Sequence, residues 1–416
     1  MSDATRLPAR LYLQLSLRNL WRNPRRTLIT LSVMIFGIAT LTLLGALNDG
    51  WLEQMRTNFI LSFTGHVQVH AQGFEASQNL ADHIELPEEV TSLMSSIIEI
   101  QSWTQRIRSS GLISRGGNSA GVQIMAIDPE QETWVTHMHE SVVQGRWLNP
   151  GMAHDLLLGA TVAQNIGAKL GDRVVLMSQT ASGKMVSEIF FLRGVIESGA
   201  PQIDRTLALI PLDSTQLWLG MPGVVTDIVI RAQQHQDTDR IRRILRQLLS
   251  EQDYEILTWK ALDPMVRQWL DFSDAYGLVI ILVVALLVLV EILNTMLIAL
   301  HERQKELAIM LAVGTRRRQI FAMLLLEAVM LILFGSLLGY LVGGAVVFAL
   351  ADQGVDLSAY ANAFQFFYMD PVIVPNLSAE STRRILGTTL IASLVAGIYP
   401  AWQATRIQLS QSLRIQ

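Results

Sequence analysis

Four apolar stretches constrain this chain more than anything else in it. Thr27–Leu47 and Ile385–Trp402 carry no charge, Tyr276–Leu300 carries only Glu291, and Ala322–Leu350 carries only Glu327. At 1.5 Å per residue the 21 residues of the first extend about 31 Å, one hydrocarbon thickness. The fourth has 18 residues, and Pro400 is expected to break it near its end. Half of the 416 residues are apolar and only 16% charged, an excess that a soluble domain does not need. The predicted fold class is an α-helical membrane protein with four transmembrane helices and a large α+β domain inserted between helices 1 and 2. Its segments are an amphipathic N-terminus (1–26), helix 1 (27–47), an outer domain with helical stalks (48–275) and helix 2 (276–300). A connector (301–321), helix 3 (322–350), an outer loop (351–384), helix 4 (385–402) and a tail (403–416) follow.

Charge orients these segments. Residues 1–26, 301–321 and 403–416 together hold 13 basic and 3 acidic residues, whereas 48–275 holds 17 basic and 27 acidic ones. Basic flanks stay in the cytoplasm, so both termini and the connector are expected inside and the large domain outside. Arg383 and Arg384 fall on the outer side and are expected to snorkel at the interface. The first stretch is longer than a signal-peptide core and no small-x-small site follows Leu47, so it reads as an uncleaved anchor. The absence of cysteine excludes disulfides, thiolate metal sites, cysteine nucleophiles and a lipidated N-terminal cysteine.

In the outer segment, "DGWLEQMRTNFILSF" continues the first helix as a stalk. "GHVQVH", "VQIMAID", "DRVVLMS", "SEIFFLRGVIE", "TLALIPL" and "VTDIVIRA" read as strands bounded by turn residues. "DTDRIRRILRQLLSEQ" reads as an amphipathic helix, and "TWKALDPMVRQWLDFSDAYG" as a returning stalk. The length suits one large or two small domains.

Local motifs for enzyme chemistry fail on context. Gly117, Ser119 and Gly121 spell G-x-S-x-G, but a strand pattern follows where a nucleophile elbow needs a helix, so the glycines are expected in a hairpin turn. "ASGKM" lacks the first glycine and the hydroxyl of a phosphate loop, since Ser178 and Met185 stand there. His66 with His70, and His137 with His139, have no third ligand at metal-site spacing and read as surface or packing histidines. No metal, no catalytic residue and no nucleic-acid partner is expected.

Three groups remain. Glu291, Asn294 and Glu327 are polar side chains inside or beside apolar stretches; they must face protein, water or a partner. For both glutamates a structural reading, a helix–helix polar lock or a neutral, protonated acid, is preferred to a substrate or proton contact. Gly335, Gly339 and Gly343 recur every fourth residue and make a groove for a close helix. The connector "HERQKELAIMLAVGTRRRQIF" is too polar to cross a membrane and too short to be a domain. Its apolar flank suits a surface helix, with Gly314 as the stop.

The stretch "ILNTMLIALHERQKELAIMLAVGTRRRQIFAMLLLEAVML" resembles the signature of the FtsX-like ABC permeases, the superfamily of the MacB-type exporters and the lipoprotein-releasing Lol permeases. Asn294, Glu302, Arg303, Glu306, Ala312, Gly314, Gln319, Ile320 and Glu327 match that pattern; Leu311 departs from it where a basic residue is usual. "LQLSLRNLWRNPRRTLITL", "VVQGRWLNPGMAHDLLLGATVAQNIGAKLGDRVVL" and "YPAWQATRIQLSQSLR" resemble the family's entry, outside domain and ending. The resemblance implies a non-catalytic subunit of a bacterial inner-membrane transporter with its large domain in the periplasm. It implies that residues 306–320 form a coupling helix on a separate ATPase subunit, which alone would bind ATP and Mg. Glu302, Arg303, Glu306, Gly314, Arg316, Arg317, Arg318 and Gln319 are the docking residues it implies. It further implies a second permease copy or a paralogue, a periplasmic carrier or adaptor, and work done outside by mechanotransmission. With only 26 residues before helix 1, a fused ATPase domain is not expected. The layout favours the lipoprotein-releasing type; tripartite export of a peptide, toxin or drug, and an FtsX-like signalling scaffold, are the alternatives.

Overall fold

The computed structural model describes residues 24–85, 87–199, 201–360 and 371–406. The basic entry before residue 24, the middle of the outer loop and the tail from 407 lie outside the described residues. The chain divides into a helical unit (24–52, 270–356 and 372–406) and an α+β unit built mainly from 53–269.

Four helices are long and apolar enough to cross a membrane. The first membrane helix runs Pro24–Phe59, the second Pro264–Glu302, the third Arg317–Ala351 and the fourth Ala379–Ala404. The fourth passes through Pro400 unbroken, against expectation. Proline's fixed φ is helical, and with one turn left it removes a single hydrogen bond. The third helix opens at Arg317, five residues before its apolar run, with Arg316 at the N-cap position and its N–H bonded to the Gln319 side chain.

The expected glycine groove packs the third helix on the first. A Cβ at Gly335 would lie 3.0 Å from Met34, at Gly339 2.8 Å from Ile38, and at Gly343 2.7 Å from Thr42. Met34, Ile38 and Thr42 also recur every fourth residue, so a ridge of the first helix fills a groove of the third. The Thr42 hydroxyl is satisfied by the Ile38 carbonyl at 2.8 Å, and buried Thr30 and Thr295 bridge the first and second helices at 2.9 Å. At the outer end Asp49 accepts from the Ser378 N–H and from the Ser381 hydroxyl, capping the fourth helix from the first. Arg383 and Arg384 do not stand alone at this end. Both pair with Glu380, and Arg384 also with Asp274.

The α+β unit is one ten-stranded sheet. Its strands are β1 (Val67–Ala71), β2 (Ile100–Arg115), β3 (Asn118–Ile127), β4 (Val142–Gly145), β5 (Asp155–Gly159), β6 (Arg173–Gln179), β7 (Met185–Ile196), β8 (Leu207–Pro211), β9 (Asp227–Ala232) and β10 (Tyr254–Thr258). The order is β10-β1-β9-β2-β3-β8-β5-β7-β4, with β6 pairing β2 and β7. The β3–β8 and β5–β7 ladders are parallel. Ile107, Ile113, Ile124, Leu156, Phe190, Ile228 and Ile230 fill the main core. The six strands expected from sequence are present. The returning stalk starts later than expected: Tyr254–Thr258 is strand, Trp259–Leu262 a separate turn, and the long helix opens at Pro264. The first stalk ends as a π-helix, Ile60–Thr64, closed by Gly65 at φ +68°. Arg106 of β2 holds that end. Fully buried, it pairs with Glu132 at 2.6 Å and donates to the Phe63 carbonyl, while Thr136 donates to Glu132.

The groove makes a direct prediction. Gly339→Leu places its side chain against Ile38 and the Ile35 carbonyl, and is expected to cost about 1–3 kcal/mol by overpacking. Thermal unfolding in detergent should show this, while Gly344→Leu, whose Cβ meets nothing within 4 Å, leaves the midpoint near wild type.

Candidate functional site

The connector folds into a helix, a stop and a cap. The second membrane helix ends at Glu302, which is exposed, and Arg303 leaves helical geometry at φ −106°. The connector helix Gln304–Ala312 then buries Leu307 and Ala308, and Leu307 joins the core of the helical unit. Its outer side exposes Lys305, Ile309 and, just beyond it, Val313, the last 83% exposed. Gly314 at φ +105° ends it, in a conformation that other residues rarely adopt. Val313, Gly314 and Thr315 N–H groups close the last carbonyls of the turn.

The proposed docking residues separate into two sets. Glu302, Arg316, Arg317 and Arg318 are exposed. Arg303 turns inward instead: its Nη1 lies 3.2 Å from Glu327 of the third helix and its Nε 3.7 Å from Glu306. Glu327 is almost fully buried, so the pair is the polar lock expected for that carboxylate, with a partner that spacing did not indicate. Gln319 also serves the fold, since its Oε1 accepts from the Arg316 N–H at 2.8 Å and caps the third helix. Glu291 is half-buried and Asn294 exposed on the second helix; neither is drawn into this cluster.

Of the glycines expected in the hairpin turn, Gly117 lies there, but Gly121 is inside β3 opposite Leu112. Gly116 and Gly117 turn β2 into β3, and Ser119 sits in β3 opposite Ser114. Gly183, at φ +82°, turns β6 into β7. No metal cluster occurs among the described residues.

Residues 27–248, more than half of the chain, match the MacB-like periplasmic core domain family, and residues 278–409 match the FtsX-like permease C-terminal family. The chain belongs to the FtsX-like, MacB-type ABC transporter permeases. It is 24% identical to the lipoprotein-releasing system transmembrane protein LolC of Xylella fastidiosa over 91% of each chain. It is 25% identical to the pyoverdine export ATP-binding/permease protein PvdT of Pseudomonas fluorescens, covering 91% of this chain and 59% of that one. The macrolide export ATP-binding/permease protein MacB of Hyphomonas neptunium is 22% identical over 95% of this chain and 59% of its own.

Within the permease's periplasmic domain His66 and His70 are buried, whereas His137 and His139 are partly exposed. His70 and Asp227 are both buried, 3.0 Å apart. Burial would raise the Asp227 carboxyl, but Arg108 and then His70 hold it well below the usual carboxylate range. His66 pairs with His235, from which 169 residues separate it, rather than with its strand neighbour. The rings stack at 4.9 Å. Proton positions follow from the contacts. The Ala232 N–H donates to His66 Nδ1, so His66 carries its proton on Nε2 and donates to His235 Nδ1 at 2.8 Å. His235 then holds its proton on Nε2, facing Thr57 at 3.2 Å and Glu53 at 3.4 Å. Burial, with His235 and Arg231 adding, pushes His66 down to about 3; burial also lowers His235 against the pull of Glu53.

Two outcomes follow. Arg303→Met leaves Glu327 buried without this cation and is expected to cost about 3 kcal/mol, with Arg303→Met/Glu327→Leu recovering most of it in detergent melts. His66 binds its proton below pH 6.5 when unfolded but only near 3 when folded, so stability falls as pH falls through that window. Between pH 7.5 and 5 its share is about 2 kcal/mol. His66→Gln should flatten the pH dependence of the melting temperature.

Proposed function

We propose that this permease is the membrane subunit of a transporter that couples ATP hydrolysis on a separate ATPase to lipoprotein release from the inner membrane to a periplasmic carrier. The observation that carries the coupling is the connector. It is a short helix, pinned from behind by Arg303 and Glu327, with Ile309 and Val313 facing outward beside Arg316, Arg317 and Arg318. An apolar pair rimmed by cations suits a groove with acidic edges. The three arginines stand at the start of the third helix, where its dipole repels cations. An acidic partner surface offsets that repulsion.

In this reading both termini are cytoplasmic, ATP and Mg stay on the ATPase, and the permease contributes no catalytic residue. Closure of the paired ATPases moves the connector, and the second helix carries the displacement outward; the work is mechanotransmission. The match over 91% of the LolC relative favours release of lipoproteins, which its name ascribes to that protein. Matches over 91% and 95% of this chain to PvdT and MacB support tripartite efflux as the second reading.

Val313→Glu tests the docking face without touching the fold, because the side chain is exposed. The expected result is correct membrane insertion with at least about tenfold less ABC ATPase recovered on gentle solubilisation and affinity purification. Wild-type ATPase recovery rejects the docking face. Mass spectrometry of the wild-type preparation separates the cargo readings. A periplasmic carrier or an acylated protein supports release, an adaptor with an outer-membrane channel supports efflux, and no ATPase at all overturns the permease assembly.

A further inference from the structure

The α+β unit carries a cavity of about 510 Å³ that the permease reading leaves unused. Three aromatic rings meet in its wall. Phe190 of β7, turned inward by the strand's alternation, is fully buried beneath it. The His154 ring stands 6.1 Å from Phe190 at 67°, and the Trp218 ring 5.6 Å from it at 69°. The fold fixes both. The Phe191 N–H donates to the His154 carbonyl at 2.8 Å and holds that loop beside β7. Trp218 ends the helix Leu212–Trp218, which follows β8 directly. His154 is exposed and Trp218 half-buried, so their rings bound the cavity instead of vanishing into the core.

The charge around these rings is one-sided. Glu188 of β7 and Asp213, in the first turn of the helix, add two carboxylates to the lining. One Glu188 oxygen accepts from the Ile189 N–H at 3.2 Å. Among the described residues no lysine or arginine lines the cavity, and neither carboxylate has an ion pair. Met152 and Leu217, 52% and 78% exposed, make an apolar lip. Aromatic faces attract a cation through their quadrupole, and carboxylates add to that pull. A primary ammonium would give up hydrogen bonds to water that rings do not replace. A quaternary ammonium has none to give up.

We propose that this cavity binds a small molecule bearing a quaternary ammonium group on an apolar body. The cation sits against the rings and carboxylates, and the body lies under Met152 and Leu217. The volume suits such a ligand, since small-molecule sites run from about 300 to 1,000 Å³. The proposal goes beyond the permease reading and does not rest on it, as none of these residues belongs to the connector.

Calorimetric titration of the full-length permease in non-ionic detergent tests it, with choline as the probe. The expected result is saturable binding of choline, at least about tenfold tighter than of dimethylbutanol, its neutral carbon isostere. Asp213→Asn and Glu188→Gln, both outside the core, should each weaken choline binding about threefold. Trp218→Leu should weaken it about tenfold, and Trp218→Phe less. The two carboxylate variants keep the test readable where Trp218→Leu fails to fold. Equal binding of the neutral isostere, or choline binding untouched by Asp213→Asn and Glu188→Gln together, overturns the proposal. So does tighter binding of Nα-acetyl-lysine methylamide than of choline, which would assign the site to a protein side chain. No saturable binding, in a preparation that still brings down an ABC ATPase, overturns the proposal and leaves the permease reading standing. Saturable binding without any ATPase does the reverse.

Discussion

The connector's geometry depends on one ion pair. Arg303 and Glu327 are both largely removed from solvent, and they come from opposite sides of the turn that joins the second and third membrane helices. With the pair formed, the connector helix lies against the core through Leu307, and its other side is presented to solvent. Without it, a carboxylate near the membrane boundary loses this cation and the turn loses its tether. The pair therefore sets the direction in which Ile309 and Val313 point. In the proposed function a residue of the family pattern can thus serve docking by holding the connector's fold.

Close approach makes the helical unit firm. In hydrocarbon the hydrophobic effect does not hold helices together, so packing and a few hydrogen bonds must. The seam of Gly335, Gly339 and Gly343 against Met34, Ile38 and Thr42 brings the first and third helices close enough for side chain to meet backbone. Gly397 against Ala328 does the same for the third and fourth helices. The Thr30–Thr295 bond and the Asp49 cap add direction, since a polar contact in a dry environment is satisfied in few geometries. These devices pair the helices specifically, whereas apolar side chains alone pack in many registers.

Much of this was legible in the sequence because period and length carry it. Four apolar runs marked four helices, and apolar segments bounded by turn residues marked six strands. The 16-residue β2 did not show itself, because its buried Ile107 and Ile113 are interspersed with the buried polar side chains Thr104, Arg106 and Ser109. A buried arginine with its own glutamate looks, in sequence, like surface. β5 escaped for the opposite reason: Asp155–Gly159 is buried throughout and too short to show any period. At the site, chemistry was read but not pairing. Glu327 stood out as a carboxylate in an apolar run, yet its partner, 24 residues earlier, looked like one more solvent-facing cation of a charged connector. His66 found its partner across 169 residues, a distance over which local spacing says nothing.

Helix continuity bears on how a signal would travel. A displacement passes along a helix as far as its hydrogen-bond ladder is unbroken. The second membrane helix has no break between Pro264 and Glu302, and the first none between Pro24 and Phe59. The irregular points sit at the ends: Arg303 at the connector, Asp263 before Pro264, and the π-helix Ile60–Thr64. π-Helical turns are weak in their own hydrogen bonding and commonly mark functional positions. Here the turn is gripped where it is weakest, since Arg106 holds the Phe63 carbonyl and His66, two residues on from Thr64, is locked to His235. A grip at that turn makes the end of the stalk move with the sheet instead of unwinding against it. In the proposed mechanism the buried arginine of β2 is therefore a mechanical fastening, and its cost in desolvation is the requirement that the stalk must pull on something.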